Sequence, residues 1–407
     1  MPMTTDDLRG LLRNERFTGT PPVNPERTGQ IERRIARRRR RLRGTVAATA
    51  ATVLAVAGLS AVATRALSGD GGDPAVSRTA TPSPLPKVAL PRAVPAEKLW
   101  PQAVAKLPPR LPNGKKYFPE AFADDHTLLV TTRSSFEKTD AVWLYDTETR
   151  QLRQVTRVVT PPKATIFASG FAVGDNRVAW WTSRRGGGGT VTEIWSAPLS
   201  GGEQSRVATL PAEMSPGNGL ARLVITGGKV IWSLSTFKGA RGGIVQVPFT
   251  GGEPSRIPGT DGYHIVDWPW VGAPDRFNGQ SAPVAFKDLR NLVTGERRVA
   301  KVGSGQWTCD LTWCVRFSGR GTVVMRRDGS DGRVLAGSGA TDMIARDRFV
   351  VSFRAKTLQL YDLRTGKLGD LGLPRQPDAF RMVGPSDRLY WMDGNEGYVI
   401  VNLAAIR

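Results

Sequence analysis

Two hairpin motifs recur at widely separated positions in this chain of 407 residues, and they constrain its fold more than any other feature. The segment SAPLSGGEQSRV at residues 196–207 returns as QVPFTGGEPSRI at residues 246–257. The segment YDTETRQL at residues 145–152 returns as YDLRTGKL at residues 361–368. Each motif consists of two strand-like runs joined by a short turn, which is the pattern of a β-hairpin. Similar segments repeated along one chain are typical of repeat architectures.

A second, apolar type of strand precedes these hairpins and recurs about every 43 residues. Six copies are evident, at residues 127–132, 177–182, 229–234, 311–317, 348–353 and 388–392. A seventh copy is expected near residues 268–271. The spacing leaves room for three or four antiparallel strands per copy, and no helical pattern lies between them. We therefore predict an all-β fold, a β-propeller of seven blades with four antiparallel strands each, preceded by one transmembrane α-helix. Six or eight blades are the alternatives, because the fourth copy is poorly marked.

The aromatic residues mark the limits of the propeller. All eleven Trp and all six Tyr lie at or beyond Trp100, and Phe17 is the one aromatic residue before it. We therefore assign the propeller to residues 99–407. The last repeat leaves only about three strands before Arg407. Because propellers commonly complete their last blade with a strand from the other end of the domain, we expect residues 99–107 to supply the missing strand.

The segment before the propeller has the pattern of a membrane anchor. Residues 45–64 carry no charged side chain, and a helix of 20 residues is about 30 Å long, the thickness of a hydrocarbon core. Eight Arg between residues 33 and 43 precede this run, which indicates a cytoplasmic flank. We predict a cytoplasmic Arg-rich tail at 1–44, a transmembrane helix at 45–67 and a Pro-rich stalk at 68–98.

This topology places the protein at the cell membrane as a single-pass protein, with the propeller extracytoplasmic. A cleaved signal peptide is the alternative, since Ala61-Val62-Ala63 has the small residues that a signal peptidase prefers. The Arg run also fits a nucleic-acid-binding segment. No aromatic residue interleaves with it, and it directly precedes an apolar run. We therefore expect contact with the membrane and none with nucleic acid.

The tail carries a candidate binding site for a protein partner. Leu8, Leu11 and Leu12 fall on one face of a short predicted helix, and Phe17 follows it. A helix this short is marginal alone and would gain stability in the groove of a partner. The alternatives are a frayed tail and an apolar face that lies on the inner leaflet.

The repeats resemble those of actinobacterial membrane-anchored propellers of the broad TolB-like and WD-repeat-like group. The resemblance rests on the Gly-Gly-Glu-x-x-Arg-Val/Ile and Tyr-Asp-x-x-Thr hairpins and covers about residues 120–403. It implies a binding or sensing propeller outside the membrane. Residues 1–64 also resemble actinobacterial membrane regulators that include anti-sigma factors, although the zinc-binding His-x-x-x-Cys-x-x-Cys of many of these is absent.

Few residues in the propeller have the chemistry of a catalytic or metal site. Cys309 and Cys314 are the two cysteines of the chain, and a tight turn between two strands would bring them together as a disulfide. Buried thiols are the alternative. The two histidines, His126 and His264, lie far apart in sequence. We therefore expect no metal site and no cofactor.

The chain contains no Gly-x-Ser-x-Gly elbow, and two histidines are few for a propeller enzyme. We therefore expect no catalytic residues and a protein that is not an enzyme. The predicted function is a membrane-anchored binding or sensing module that passes a signal to a cytoplasmic partner through its tail. An envelope scaffold and, less favoured, a propeller hydrolase or lyase are the alternatives.

Overall fold

The structure is a computed structural model that describes residues 84–407 with several gaps. The gaps lie at residues 136–137, 187–188, 211–219, 235–241, 274–283, 304, 320, 338–343, 355–356, 375–379, 382–387 and 394–396. The predicted tail, the predicted transmembrane helix and most of the predicted stalk lie outside the described residues. Within the described part of the chain, no helix has the length and hydropathy needed to cross a membrane.

Strands make up almost all of the regular structure. The first half of the described chain contains β1 (Lys87–Ala89), β2 (Val94–Pro95), α1 (Ala96–Leu99), a 3₁₀ turn (Pro101–Ala103), β3 (Val104–Leu107), β4 (Tyr117–Phe122), β5 (Thr127–Arg133), β6 (Thr139–Asp146), β7 (Leu152–Arg157), β8 (Ala164–Gly174), β9 (Arg177–Gly186), β10 (Gly189–Pro198), β11 (Ser205–Leu210), β12 (Leu220–Thr226), β13 (Lys229–Leu234), β14 (Ile244–Pro248) and β15 (Ser255–Arg256).

The second half contains β16 (His264–Asp267), β17 (Trp270–Gly272), β18 (Val284–Ala285), β19 (Asp288–Asn291), β20 (Arg297–Val299), β21 (Trp307–Cys309), β22 (Trp313–Phe317), β23 (Gly321–Arg326), β24 (Arg333–Ala336), β25 (Ile344–Ala345), β26 (Phe349–Arg354), β27 (Thr357–Asp362), β28 (Leu368–Pro374), β29 (Phe380–Arg381), β30 (Arg388–Asp393), β31 (Gly397–Asn402) and a 3₁₀ turn (Leu403–Ala405).

The described strands group into sheets that follow one another along the chain, which confirms the predicted all-β propeller. Six sheets take their four principal strands from one stretch each: sheet I (β4–β7), sheet II (β8–β11), sheet III (β12–β15), sheet IV (β16, β17, β19, β20), sheet V (β21–β24) and sheet VI (β25–β28). Sheet VII combines β29, β30 and β31 with β3 from the other end of the domain.

The closing strand lies where the sequence predicted it. β3 pairs antiparallel with β31, so that Val104 lies opposite Val401 and Leu107 lies opposite Tyr398. The strand therefore comes from the predicted segment 99–107. The seventh apolar strand expected near residues 268–271 is β17 in sheet IV.

Apolar side chains fill the spaces between neighbouring sheets. Strand β4 alternates buried and partly buried residues, because successive side chains of a strand point to opposite faces. Trp180 and Trp232 are completely buried, each in a cluster that joins residues of two or more sheets. Each sheet thus buries its faces against its neighbours, which a single four-stranded sheet cannot do alone.

The end of the Pro-rich segment packs onto the propeller. β1 adds in parallel to β24 at the edge of sheet V, and β2 adds in parallel to β28 at the edge of sheet VI. Leu85, Val88 and Leu90 lie against the apolar clusters of these sheets. The stalk was predicted to continue to residue 98. The structure differs because burial of these apolar side chains against the sheets is favourable in free energy, whereas an extended linker would leave them in water.

We call residues 85–100 the belt, since they run along the edges of sheets V and VI before β3 completes sheet VII. Ala96 and Trp100 are buried at its end, in a cluster with residues of sheets VI and VII. This arrangement is difficult to predict from the sequence, because the belt has few residues of high strand propensity. Its partner strands, β24 and β28, are more than 200 residues away along the chain.

Candidate functional site

The predicted disulfide is present in the structure. Cys309 and Cys314 lie directly opposite each other on β21 and β22, and their sulfurs are 2.03 Å apart. Both residues are buried in a cluster that includes Trp307 and Val323. This burial among apolar side chains indicates a structural crosslink within sheet V.

The two histidines lie on different sheets. His126 is in the turn between β4 and β5 of sheet I, where its Nδ1 is 3.0 Å from Oε1 of Glu148. His264 is the first residue of β16 in sheet IV. The structure therefore places each histidine with its own neighbours and gives no shared site. The predicted tail residues Leu8, Leu11, Leu12 and Phe17 lie outside the described residues.

A cleft of about 810 Å³ opens between sheets I and II, next to the turns that join their strands. Its lining combines apolar and polar residues: Ala123, Asp124, Thr127, Leu144, Asp146, Gln151, Leu152, Arg153, Val173, Gly174, Asp175, Asn176 and Leu199. Ala123, Leu144, Val173 and Leu199 belong to the apolar cluster between the two sheets. The cleft thus has an apolar floor with polar side chains around it.

Two carboxylates of the cleft are fixed by the turns that carry them. Asp124 Oδ1 accepts hydrogen bonds from the backbone N–H groups of His126 (2.9 Å) and Thr127 (2.6 Å). Asp146 Oδ1 accepts from the backbone N–H groups of Glu148 (2.9 Å) and Thr149 (2.7 Å). These are Asx turns, which explains why Asp is found where a strand leads into a turn at both positions.

The same hydrogen bonds keep both groups ionised. Partial burial raises the pKa of Asp124, but the N–H groups of His126 and Thr127 outweigh it and leave the pKa below its ordinary value. For Asp146, the N–H of Thr149 is the largest cause of a lowered pKa, against a smaller effect of burial. Hydrogen bonds to a carboxylate favour its charged form.

A third carboxylate comes from sheet II and also contacts sheet III. Asp175 lies in the turn between β8 and β9, and its Oδ2 accepts from the backbone N–H of Gly228 at 2.8 Å. Arg153 is the cation of the lining, and its Nη1 donates to the carbonyl of Leu199 at 2.6 Å. Three carboxylates in fixed positions therefore surround an apolar floor, which suits a ligand that combines a cationic group with an apolar part.

A second group of charged residues connects sheets IV, V and VI. Arg327 is 5% exposed, and its guanidinium donates to the carbonyls of Asp310, Phe286, Lys287 and Arg298. Burial lowers the pKa of Arg327 to about 10, although nearby carboxylates oppose this shift. Its contacts are backbone carbonyls of two sheets, so the side chain holds sheets IV and V together.

Two carboxylates accompany Arg327. Asp347 Oδ1 accepts from the backbone N–H groups of Thr312 (2.8 Å) and Trp313 (3.1 Å), which joins sheet VI to sheet V. Burial raises the pKa of Asp310 to about 6, and the charge of Asp347 adds to the shift. Burial also raises the pKa of Asp347. We interpret this group as a structural junction, because its hydrogen bonds satisfy backbone groups between the sheets.

The described residues contain no group of three or more His, Cys, Asp or Glu that is placed to hold a metal ion. The cleft was not identified from the sequence, because its residues come from five separate stretches of the chain. The signal that was present is the Asp that begins each turn, at Asp124, Asp146 and Asp175. Taken singly, each Asp indicates an ordinary turn, and only the packing of sheet I on sheet II places the three on the lining of one cleft.

No family model matches the chain, and no curated protein matches it. Solved structures that it resembles include TolB from Acinetobacter baumannii, with 15% sequence identity and a TM-score of 0.33, over 54% of this chain and 56% of that chain. An acylaminoacyl peptidase from Pyrococcus horikoshii matches with 12% identity and a TM-score of 0.43, over 68% of this chain and 48% of that chain. An oligogalacturonate lyase from Vibrio parahaemolyticus matches with 10% identity and a TM-score of 0.38, over 70% of this chain and 77% of that chain.

The chain thus spans little more than half the length of the TolB structure. The presence of a TolB among these structures agrees with the prediction of a TolB-like propeller. The fold assignment itself rests on the strand pairing of this chain. The expectation that the protein is not an enzyme is corrected by these matches, since they include a lyase and a peptidase. The absence of a Gly-x-Ser-x-Gly motif does not decide the class of protein. The matches assign no activity to the chain.

Proposed function

We propose that the protein is a binding module whose seven-bladed propeller takes up a ligand with a cationic group in the cleft between sheets I and II. The observation that carries the proposal is the set of three carboxylates, Asp124, Asp146 and Asp175, around an apolar floor. A propeller of this kind also fits a scaffold protein, but the cleft favours recognition of a small ligand or of a side chain of a partner.

The charge of the cleft differs from that of the surrounding domain. Residues 100–407 contain 40 Lys and Arg against 28 Asp and Glu, so the domain is basic overall. The cleft lining contains three acidic residues and one Arg, and that Arg donates to a carbonyl. A local excess of negative charge in a basic domain attracts a cationic group to one place.

We also propose the topology and signalling that the sequence favours. Residues 45–67 would anchor the protein in the cell membrane, with residues 1–44 in the cytoplasm and the propeller outside. The support is the uncharged run at 45–64 and the eight Arg that precede it. Leu8, Leu11, Leu12 and Phe17 would then bind a cytoplasmic protein. The topology is tested by fusing a reporter after residue 407. Activity of a reporter that functions only in the cytoplasm would contradict the proposed topology.

The cleft is tested by charge-neutralising variants of the full-length protein. Asp124→Asn and Asp146→Asn keep a side-chain oxygen that can accept the turn hydrogen bonds, and they remove the negative charge. Asp328→Asn is the matched control, because Asp328 Oδ1 accepts from the N–H of Ser330 in a similar turn of sheet V. The probes are phenethylamine and its neutral analogue phenylethanol, measured by isothermal titration calorimetry.

We expect saturable binding of phenethylamine and none of phenylethanol. Each Asp→Asn change in the cleft should weaken binding about tenfold, the scale of one charge-assisted hydrogen bond. Asp328→Asn should have no effect. Equal binding of the two probes, or an equal loss in all three variants, would show that the cleft carboxylates do not recognise a cation.

A further inference from the structure

A second, smaller pocket of about 460 Å³ lies at the seam between sheet VII and sheet I, where the chain passes from β3 to β4. Its lining consists of Lys106, Leu107, Pro108, Arg110, Pro112, Tyr145 and Arg150. Three of these side chains are cationic and none is acidic. The electrostatic character of this pocket is therefore the opposite of that of the cleft between sheets I and II.

Arg150 is held in place by uncharged partners. It lies in the turn between β6 and β7 with a φ of 65°, and its N–H donates to the carbonyl of Asp146. Its Nη1 donates to the hydroxyl of Tyr145 at 3.1 Å, and its Nη2 donates to the carbonyl of Lys106 at 2.9 Å. These bonds orient the guanidinium from sheet I toward β3, yet they leave its charge without a carboxylate among the described residues.

Arg110 comes from the loop on the other side of the pocket. Its Nη1 donates to the carbonyl of Gly114 at 2.8 Å. The loop itself is closed by backbone hydrogen bonds from Leu111 to Lys115 and from Gly114 to Leu111. Within the part of the chain that the structure describes, the Arg110 guanidinium also has no acidic partner. The guanidinium groups of Arg110 and Arg150 therefore have further N–H donors with which to bind a ligand. Their positive charges are not neutralised by a carboxylate of the described residues.

Lys106 shows that the edge of the pocket accepts an anion. Its Nζ is 2.7 Å from Oε2 of Glu97, a residue of α1. The two side chains are 68% and 49% exposed, and such pairs contribute little to stability in water. A ligand with an oxyanion can therefore exchange with the Glu97 carboxylate at this position at small cost.

The floor of the pocket is formed by Tyr145, which belongs to a cluster of buried tyrosines. Tyr145 is buried, and its ring packs against that of Tyr117, which in turn packs against Tyr398. The Tyr117 hydroxyl donates to the carbonyl of Pro108 at 2.8 Å. Burial strongly raises the pKa of Tyr117, so the phenol stays uncharged and does not repel an anion. Pro108, Pro112 and this floor offer contact area for an apolar group.

We propose that this pocket binds a small organic oxyanion, a phosphate or carboxylate group carried on an apolar body. Guanidinium groups match the oxygens of such anions in a two-pronged geometry, and here two of them line one pocket, from sheet I and from the loop after β3. Because Arg150 belongs to sheet I and Lys106 to the closing strand, a bound anion connects both sides of the seam. Ligand binding therefore stabilises the closed ring.

Phenyl phosphate is the probe, since its ring suits the proline and tyrosine walls, and inorganic phosphate is the competitor. Binding to the full-length protein is measured by isothermal titration calorimetry, and the thermal midpoint by tryptophan fluorescence, at constant ionic strength. We expect saturable binding of phenyl phosphate, competition by inorganic phosphate, and a rise of the midpoint that saturates with binding.

Arg110→Gln and Arg150→Gln should each weaken binding at least tenfold. Arg110→Gln is the variant that preserves the seam, because the hydrogen bond of the Arg110 side chain is to Gly114 of its own loop. Arg364→Gln is the matched control, an exposed Arg of sheet VI outside the pocket, and should bind like the unchanged protein. Asp124→Asn should also leave phosphate binding unchanged, which separates this pocket from the cleft.

Two results would overturn the proposal. One is a midpoint that rises with phosphate without saturating and to the same extent in Arg110→Gln, which is a general salt effect. The other is an equal loss of binding in Arg364→Gln, which would show that overall charge and not this pocket attracts the anion.

Discussion

The indole ring of Trp100 lies directly against the backbone of Gly369, so closely that a Cβ atom on Gly369 would overlap the ring. Trp100 is 4% exposed and packs edge-on against Phe349, with ring centroids 5.9 Å apart. The contact attaches the end of the belt to β28 and β26 of sheet VI. It is the largest side-chain anchor of the belt, and it depends on the absence of a side chain at position 369.

We predict that Trp100→Ala destabilises the propeller by about 3–5 kcal/mol, the usual cost of removing a buried large aromatic side chain. Gly369→Ala should destabilise it as well, because the added methyl group displaces the indole. Urea unfolding followed by tryptophan fluorescence measures both.

Gly114→Ala is not a suitable control, since Gly114 has a φ of 78°. Gly303→Ala is suitable, because nothing lies within 4 Å of the position that its added methyl group would take. Wild-type stability of Trp100→Ala would show that the belt is not anchored there.

A second prediction concerns the ring closure. Gly397 begins β31 with a φ of 134°, and a Cβ atom there would overlap the carbonyl oxygen of Leu107 on β3. Gly397→Ala should therefore separate the closing strand from sheet VII and cost several kcal/mol through clash and backbone strain. Limited proteolysis should then cleave the chain between β3 and β4 faster than in the unchanged protein.

The control for this experiment is Gly295→Ala, at a turn glycine that also has a positive φ but has nothing within 4 Å of its Cβ position. It carries the backbone strain without the clash. If both variants were cleaved at the rate of the unchanged protein, the close approach of Gly397 to β3 would not limit closure.

The hairpins could be predicted because their determinants are local. The repeated Gly pairs become Gly201-Gly202 and Gly251-Gly252, and all four have positive φ in the turns after β10 and β14. The closing strand followed from counting strands in the last repeat. The belt could not be predicted, because the sequence around Leu85 and Val88 has no strand pattern of its own. Its short strands form only by pairing with sheets V and VI. The cleft and the anion pocket depend on contacts between sheets, which one sequence does not reveal.

The third prediction concerns Cys309 and Cys314. Mass spectrometry without reduction should show the propeller two protons lighter than the dithiol form, and alkylation should label neither cysteine until a reductant is added. Two labelled thiols in the unreduced protein would contradict the crosslink. The double change to Ala should cost about 2 kcal/mol, because the bond closes a short loop.

The last prediction concerns the pH dependence of the junction between sheets IV, V and VI. Burial and the neighbouring charges of Asp347 and Asp267 raise the pKa of Asp310 to about 6, and Arg327 is a neighbouring cation. A carboxyl group whose pKa is higher in the folded than in the unfolded state binds protons more tightly when folded. It therefore destabilises the fold at neutral pH, and this cost disappears as the pH falls from about 7 toward 4.

Asp310→Asn removes the charge and keeps an oxygen that accepts from the N–H of Leu311. The variant should be more stable than the unchanged protein at pH 8, by about 1–3 kcal/mol, and the difference should shrink as the pH falls through 6. The free energy of urea unfolding at pH 8, 6 and 5 measures this. Asp331→Asn is the control, an exposed carboxylate that pairs with Arg326, and its effect should not follow the same pH course. A constant difference between Asp310→Asn and the unchanged protein across this range would show that Asp310 does not titrate near pH 6.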